Sequence, residues 1–162
     1  DALPISTLFN LIKDNDSLSI KMHYQDIISR SIDLKEKIVS YDFKDEGIRK
    51  YLNLGHTIGH ALEEMDLGLI HGECVALGMI PFVNKEYELS KIIHKYIDFS
   101  FLKNVTINED LILEKIKNDK KLIDGKINFI YCEKISDMKF IFLSDEELRT
   151  KIREIIYEIS IW

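Results

Sequence analysis

Hydrophobic residues recur at steps of three and four through most of this chain, which is the spacing of helices that bury one face. The longest such run, Ser17 to Ser40, predicts a single helix with Ser17 as its N-cap. The period changes near the end, where Lys126 to Cys132 and Met138 to Leu143 are rich in β-forming residues and are joined by a polar turn. We therefore expect a mainly α fold with one small β-hairpin, and a single domain over residues 1–162.

The other helix boundaries follow from capping residues and helix breakers. A first helix that begins near Pro4 should end at Asn15–Asp16. Asn108 is placed to cap a later helix, and Ser144 with Glu147 forms the capping-box pattern of a final one. The remaining predicted helices cover Asn53–Leu67, His71 or Gly72 to Leu89, Lys91–Leu102 and Glu109–Ile116.

Composition narrows the classes of partner. The 162 residues are 46% hydrophobic and 31% charged, which suits one folded core rather than a disordered chain. Lys and Arg total 22 against 28 Asp and Glu, so the net charge is 22 − 28 = −6. That charge disfavours a general affinity for nucleic acid. No run of about 18 apolar residues occurs, so the sequence predicts no membrane span.

The N-terminal residues and the cysteines indicate the cellular compartment. The first residues have no signal-peptide pattern, which favours the cytoplasm. Cys74 and Cys132 lie far apart in apolar stretches without CxxC spacing, so we expect two reduced, buried thiols. Because the chain starts at Asp1 rather than Met, we expect it to be a piece of something longer.

Three of the five histidines fall within 16 positions: His56, His60 and His71. His56 and His60 are four residues apart, so they share one helix face, and imidazoles are common zinc ligands. Thr57 stands where a zincin HExxH motif has Glu, which argues against that protease class. Two interpretations stay open: a metal or catalytic site, and helix packing with a histidine satisfied in the core.

Gly55 and Gly59 flank these histidines at the same four-residue spacing. Each glycine in a helix costs about 1 kcal/mol relative to alanine. That cost predicts a compensating close approach, either of a ligand or of a neighbouring backbone.

Several cations interrupt the acidic chain, namely Lys35, Arg49, Lys120 and Lys121. They could be solvated surface side chains, or they could converge on one anionic ligand. The sequence pattern alone does not choose between these interpretations.

Longer motifs surround these residues. They are Ser31–Val39, Gly47–Glu63 with the text HTIGHALE, His71–Met79 with HGECVALGM, and Asp119–Ile130 with DKK. Together they resemble the 3-dehydroquinate synthase family, in register from about Ser31 to Ile130. The resemblance implies the helical C-terminal domain of that fold. It also implies an N-terminal NAD-binding domain outside this chain and a homodimer for the full-length enzyme.

The resemblance implies a set of metal and catalytic roles. His56 and His71 would be zinc ligands, while His60 would contact substrate and take part in proton transfer. The third zinc ligand would be a Glu upstream of Asp1. The family acts in the shikimate pathway of aromatic amino acid biosynthesis, converting 3-deoxy-arabino-heptulosonate 7-phosphate to 3-dehydroquinate and phosphate. Its reaction combines transient NAD oxidation, phosphate elimination, reduction and aldol closure.

The substrate is a phosphorylated sugar acid, and the resemblance also implies which residues bind it. Lys35, Arg49 and Asn53 match positions that hold its carboxylate, hydroxyl and phosphate groups. Of the two lysines after Asp119, Lys121 is favoured for the anion and Lys120 is kept in reserve. Asp45 and Glu46 are weaker candidates, since they occupy a loop where the family often has Glu.

Other functions share parts of this pattern. Another sugar-phosphate cyclase would keep the metal site and differ at the substrate contacts. A metal-dependent polyol dehydrogenase would share the histidines but would not be expected to pair them with Lys35, Arg49 and the DKK segment. A non-catalytic helical module that binds metal is the alternative from a different class.

Overall fold

The computed structural model describes residues 3–119, 124–135 and 137–161. These residues form a mainly helical structure with one antiparallel two-stranded sheet, as the hydrophobic pattern predicts. The α-helices are α1 Leu3–Asp14, α2 Ser17–Met22, α3 Tyr24–Tyr41, α4 His56–Glu63, α5 His71–Met79, α6 Leu89–Tyr96, α7 Glu109–Asp119 and α8 Asp145–Ile161. The strands are β1 Ile127–Lys134 and β2 Asp137–Leu143. Short 3-10 helices cover Ile48–Asn53, Ile80–Phe82, Lys85–Tyr87 and Ser100–Leu102.

The hydrophobic core lies where α4, α5, α7 and α8 meet one face of the hairpin. Its fully buried side chains include Leu62, Leu77, Phe82, Ile116 and Ile152. Because apolar area removed from water contributes about 25 cal/mol per Å², this cluster is the main source of stability for the helices it joins.

The hairpin and its flanking caps agree with the sequence pattern. Ile127 pairs with Leu143 at the open end of the sheet. The Asn108 side chain accepts hydrogen bonds from backbone N–H groups at the start of α7. At the start of α8, the Ser144 N–H donates to the Glu147 carboxylate at 2.8 Å, and the reciprocal Glu147 N–H reaches the Ser144 hydroxyl at 3.4 Å. This is the predicted capping box.

The prediction of one helix from Ser17 to Ser40 is wrong. The His23 N–H donates to the Ile20 carbonyl, three residues back, so the four-residue hydrogen-bond ladder stops and α3 starts anew at Tyr24. The N-cap of α2 is also one residue earlier than predicted. The Asp16 carboxylate, not Ser17, accepts the Ser19 N–H, at 2.7 Å.

Three other predicted helices are too long. Gly55 has a left-handed φ of 78° and separates the 3-10 helix Ile48–Asn53 from α4, which runs only from His56 to Glu63. The helix from His71 ends at Met79, because Pro81 lacks an N–H and the chain turns towards the hairpin, where the Asn84 N–H donates to the Cys132 carbonyl. Likewise α6 stops at Tyr96 instead of reaching Leu102.

The first three helices lie outside this core. The Tyr96 hydroxyl on α6 is 2.6 Å from the carbonyls of both Ile12 and Asn15, which ties the end of α1 to the core side. Helix α3 packs on α1 and has no buried residue. Its residues Tyr24, Ile28 and Ile32 recur every four positions and are 52%, 56% and 59% exposed. One apolar stripe of α3 therefore faces away from the described residues.

Among the described helices, none combines the length and the apolar character that crossing a bilayer requires.

Candidate metal centre

Helix α4 presents three potential ligands in a row. His56, His60 and Glu63 are at positions i, i+4 and i+7, so their side chains project from one face of the helix. His60 and Glu63 are exposed. The opposite face carries Ile58 and Leu62 into the core, which fixes the rotation of the helix.

Helix α5 brings a third histidine to the same face. The chain reverses through residues 64–70, where Gly68 adopts a left-handed φ of 80°. The Glu73 carboxylate accepts the Ile70 N–H at 3.0 Å and caps the helix that begins at His71. The predicted turn at Gly68 is therefore present, and it returns His71 over α4.

Three glycines let α4 and α5 cross in backbone contact. A Cβ on Gly59 would lie 2.9 Å from the Val75 Cα, and one on Gly78 would lie 2.2 Å from the Gly55 carbonyl oxygen. No larger residue fits without moving a backbone. The glycine spacing predicts a close approach of a ligand or a neighbouring backbone, and the structure shows a neighbouring helix. Gly55 is the N-cap of α4 and does not lie inside the helix.

The crossing draws the three imidazoles into a nearly equilateral triangle. The ring centres are 5.7 Å apart for His56 and His60, 5.6 Å for His56 and His71, and 5.7 Å for His60 and His71. Two imidazoles on one tetrahedral zinc have ring centres about 5 Å apart, since the Zn–N distance is about 2.0–2.1 Å. The ring-centre spacing is close to that of two imidazoles on one metal ion.

Hydrogen bonds distinguish the three rings. The His71 Nδ1 lies 2.9 Å from the Glu63 Oε2, and the His56 Nδ1 lies 3.2 Å from the Leu54 carbonyl oxygen. A neutral imidazole that donates from Nδ1 keeps its lone pair on Nε2, the arrangement common in metal-bound histidines. The His60 imidazole makes no hydrogen bond to another described residue.

A second combination of ligands is also within reach. One potential ligand atom from each of His60, Glu63 and His71 lies within 4.8 Å of the others. Glu63 had no role in the sequence-based prediction, although its position three residues after His60 places it on the same helix face. That spacing is the signal that could have identified it.

Arg49 is held by the loop that precedes the histidines. The Asp42 carboxylate accepts the backbone N–H groups of Glu46, Gly47 and Arg49 at 2.8–3.0 Å. These hydrogen bonds, chiefly the one from the Arg49 N–H, keep the pKa of Asp42 below its usual value. The Arg49 Nη1 donates to the Phe43 carbonyl at 3.0 Å. Asp42 is a second residue that sequence reasoning missed, and it organises this loop.

Asn53 lies beside a cavity of about 260 Å³ between the start of α4 and the hairpin. Asp45, Thr57 and Asn128 line the same cavity over an aromatic floor that includes Phe129. No histidine of the cluster lines it. Asp45 has a left-handed φ of 56° and is exposed, and Glu46 is exposed next to it.

The predicted lysines are not assembled around the histidines by the described contacts. Lys35 is exposed on α3. Lys120 and Lys121 lie outside the described residues. The structure thus brings His56, His60 and His71 together, whereas convergence of the predicted cations stays a prediction.

Both cysteines are free and buried, as expected. Burial is the main cause that raises the pKa of the Cys74 thiol to about 11. Neither thiol has the exposed, electropositive surroundings of a reactive cysteine.

The fold is shared with a solved synthase. The crystal structure of 2-deoxy-scyllo-inosose synthase complexed with carbaglucose-6-phosphate, NAD+ and Co2+ superposes with a TM-score of 0.64. It is 19% identical in sequence, and the match covers 88% of this chain and 44% of that one. The described helices and hairpin therefore have the architecture of one part of that synthase.

Sequence comparison identifies the family. Residues 5–122 match the family described as 3-dehydroquinate synthase C-terminal. The 3-dehydroquinate synthase of Geobacillus thermodenitrificans is 38% identical over 132 residues, which are 75% of this chain and 36% of that protein. The enzyme of Picrophilus torridus is 40% identical over 152 residues, 87% of this chain and 44% of its own length. The chain belongs to the 3-dehydroquinate synthase C-terminal family, and it spans less than half the length of these relatives.

Proposed function

We propose that this chain forms the metal- and substrate-binding part of a 3-dehydroquinate synthase. The triangle of His56, His60 and His71 is the observation that carries the proposal, because the motifs that match the family fold into one metal-sized cluster. The complete enzyme would convert 3-deoxy-arabino-heptulosonate 7-phosphate to 3-dehydroquinate and phosphate. Its division into this C-terminal domain and an upstream NAD-binding domain is part of the proposal.

His56 and His71 would hold the metal, with zinc as the proposed ion. Both rings have Nδ1 beside an oxygen acceptor, an arrangement that favours the tautomer whose Nε2 is free to bind a metal. A third protein ligand would come from the upstream part of the enzyme. When bound, NAD supplies the transient oxidation, and the divalent metal polarises the hydroxyl group that is oxidised.

His60 would hold and move a proton at the substrate. It is the third vertex of the triangle, it is exposed, and its imidazole makes no hydrogen bond to a described residue. An imidazole can act as a general acid or base towards a bound ligand.

The substrate's anionic groups would be held by Arg49, Asn53, Lys35 and Lys121, with Lys120 in reserve. The loop capped by Asp42 presents Arg49, whose planar guanidinium is suited to a carboxylate or phosphate. Fixing several groups of one flexible substrate would orient it for successive steps. The cytoplasm and a homodimer stay predictions for the complete enzyme.

The test is a chimera in which this chain replaces the matching segment of the Picrophilus torridus enzyme. We expect NAD-dependent release of phosphate from 3-deoxy-arabino-heptulosonate 7-phosphate by the chimera, and no turnover by this chain alone. Phosphate release and 3-dehydroquinate formation would be measured together. The His60→Ala chimera is the matched inactive control.

Two results would contradict the proposal. A folded chimera that binds NAD and metal but turns over only a different phosphorylated sugar would favour another sugar-phosphate cyclase. A folded chimera that turns over no phosphorylated sugar, although this chain still binds metal, would favour a non-catalytic metal-binding module.

A further inference from the structure

We propose that Glu63 is a positioning residue that fixes the ring orientation and tautomer of His71. The inference rests on the proposed metal site, in which His71 is a ligand. It assigns a role to a side chain that would touch neither substrate nor metal.

The geometry supports a direct hydrogen bond between the two side chains. Glu63 is the last residue of α4 and His71 is the first of α5, and the Glu63 Oε2 lies 2.9 Å from the His71 Nδ1. A carboxylate accepts hydrogen bonds only, so the proton between these atoms belongs to Nδ1. The Nε2 lone pair of the neutral ring is then available on the other side.

Because both side chains are partly exposed, this hydrogen bond is needed to hold the His71 ring in one orientation. The side chains of His71 and Glu63 are 51% and 44% exposed, so packing alone does not lock the ring. Without an acceptor, the ring would populate both tautomers, and the form protonated at Nε2 cannot bind metal through that atom. Glu63 would therefore select the binding-competent form before a metal arrives.

The neighbouring carboxylates have other partners. Glu64 is paired with the Lys115 ammonium at 2.8 Å, and Glu73 caps the backbone N–H of Ile70. Of these three acidic residues, Glu63 alone meets an imidazole in the described hydrogen bonds. This makes Glu64 a matched control, because it lies on the same helix and has the same chemistry.

An alternative role for Glu63 is direct metal ligation with His60 and His71, whose potential ligand atoms lie within 4.8 Å of one of its oxygens. The hydrogen bond favours the positioning role, because the oxygen nearest His71 is occupied by the Nδ1 proton. The two roles predict different responses to Glu63→Gln, whose amide oxygen still accepts from Nδ1 but binds zinc poorly.

The first measurement is the tautomer of His71 in the metal-free chain, by long-range ¹⁵N–¹H NMR. We expect the Nδ1-protonated form to dominate in the wild type and in Glu63→Gln. In Glu63→Leu we expect a mixture with a substantial Nε2-protonated fraction. Glu64→Leu should match the wild type, and circular dichroism would verify that each variant is folded.

The second measurement is zinc affinity in the chimera described above, by competition with a chelator. We expect Glu63→Leu to weaken binding by about 10- to 100-fold, the usual effect of losing a partner that supports a ligand. Glu63→Gln should recover most of that loss. Equal, near-complete loss of binding in Leu and Gln variants would assign Glu63 as a ligand and overturn the positioning role.

An unchanged His71 tautomer in Glu63→Leu would also overturn the inference. The tautomer measurement needs no metal, so it tests Glu63 even if the wild-type chimera fails to bind zinc. That failure would instead count against the proposed metal site.

Discussion

Replacing Gly78 with alanine is expected to destabilise the chain by about 3 kcal/mol, at the upper end of the range for overpacked interiors. The added Cβ would lie 2.2 Å from the Gly55 carbonyl oxygen and 3.0 Å from the Gly59 backbone nitrogen. Neither atom belongs to a flexible side chain, so α4 and α5 would have to separate. Urea unfolding followed by circular dichroism would measure the free-energy difference.

The control is Gly72→Ala in the same helix. A Cβ at Gly72 meets no described atom within 4 Å, and alanine is the better helix former by up to about 1 kcal/mol. We therefore expect Gly72→Ala to leave stability unchanged or slightly increased. If Gly78→Ala unfolds at the same urea concentration as the wild type, the backbone crossing is not as close as the structure has it.

The second large effect concerns zinc. Loss of a residue that supports a metal ligand weakens binding by about 10- to 100-fold. We expect His56→Ala and His71→Ala, which remove ligands themselves, to weaken zinc binding by more than this. His60→Ala should weaken it much less, because its proposed role is towards the substrate. Titration calorimetry on the chain would rank the three variants.

His23→Ala is the control for removing an exposed imidazole, since His23 lies at the junction of α2 and α3. The reverse ranking, with His60→Ala the most damaging, would exchange the proposed roles of His56 and His60. Affinity should also fall as the pH is lowered in the wild type, because protonated imidazoles cannot bind a metal.

Much of the fold was predictable because helix and strand periodicities differ. The hairpin, the Asn108 cap and the Ser144 capping box all depend on local sequence, and they are present as predicted. The break at His23 was not predictable in this way. Both of its flanking segments have helical periodicity, and no Gly or Pro marks the break.

The candidate site shows the same division. The pairing of His56 with His60 follows from helix spacing, whereas the arrival of His71 depended on a turn and was expected only through the family resemblance. Spacing within α4 places Glu63 on the histidine face, but its hydrogen bond to His71 crosses that turn. A side-chain contact between two helices is a tertiary property, so residue spacing within one helix does not reveal it.

The open stripe on α3 has a consequence for local stability. A helix without a buried residue can open without disrupting the core, so its amides should exchange with solvent far sooner than those of α8, which buries Leu148, Ile152 and Ile155. Lys35 is carried on that loosely anchored segment. An anion that engages Lys35 together with Arg49 would therefore stabilise α3 as well as bind, and part of its affinity would be spent on ordering the helix.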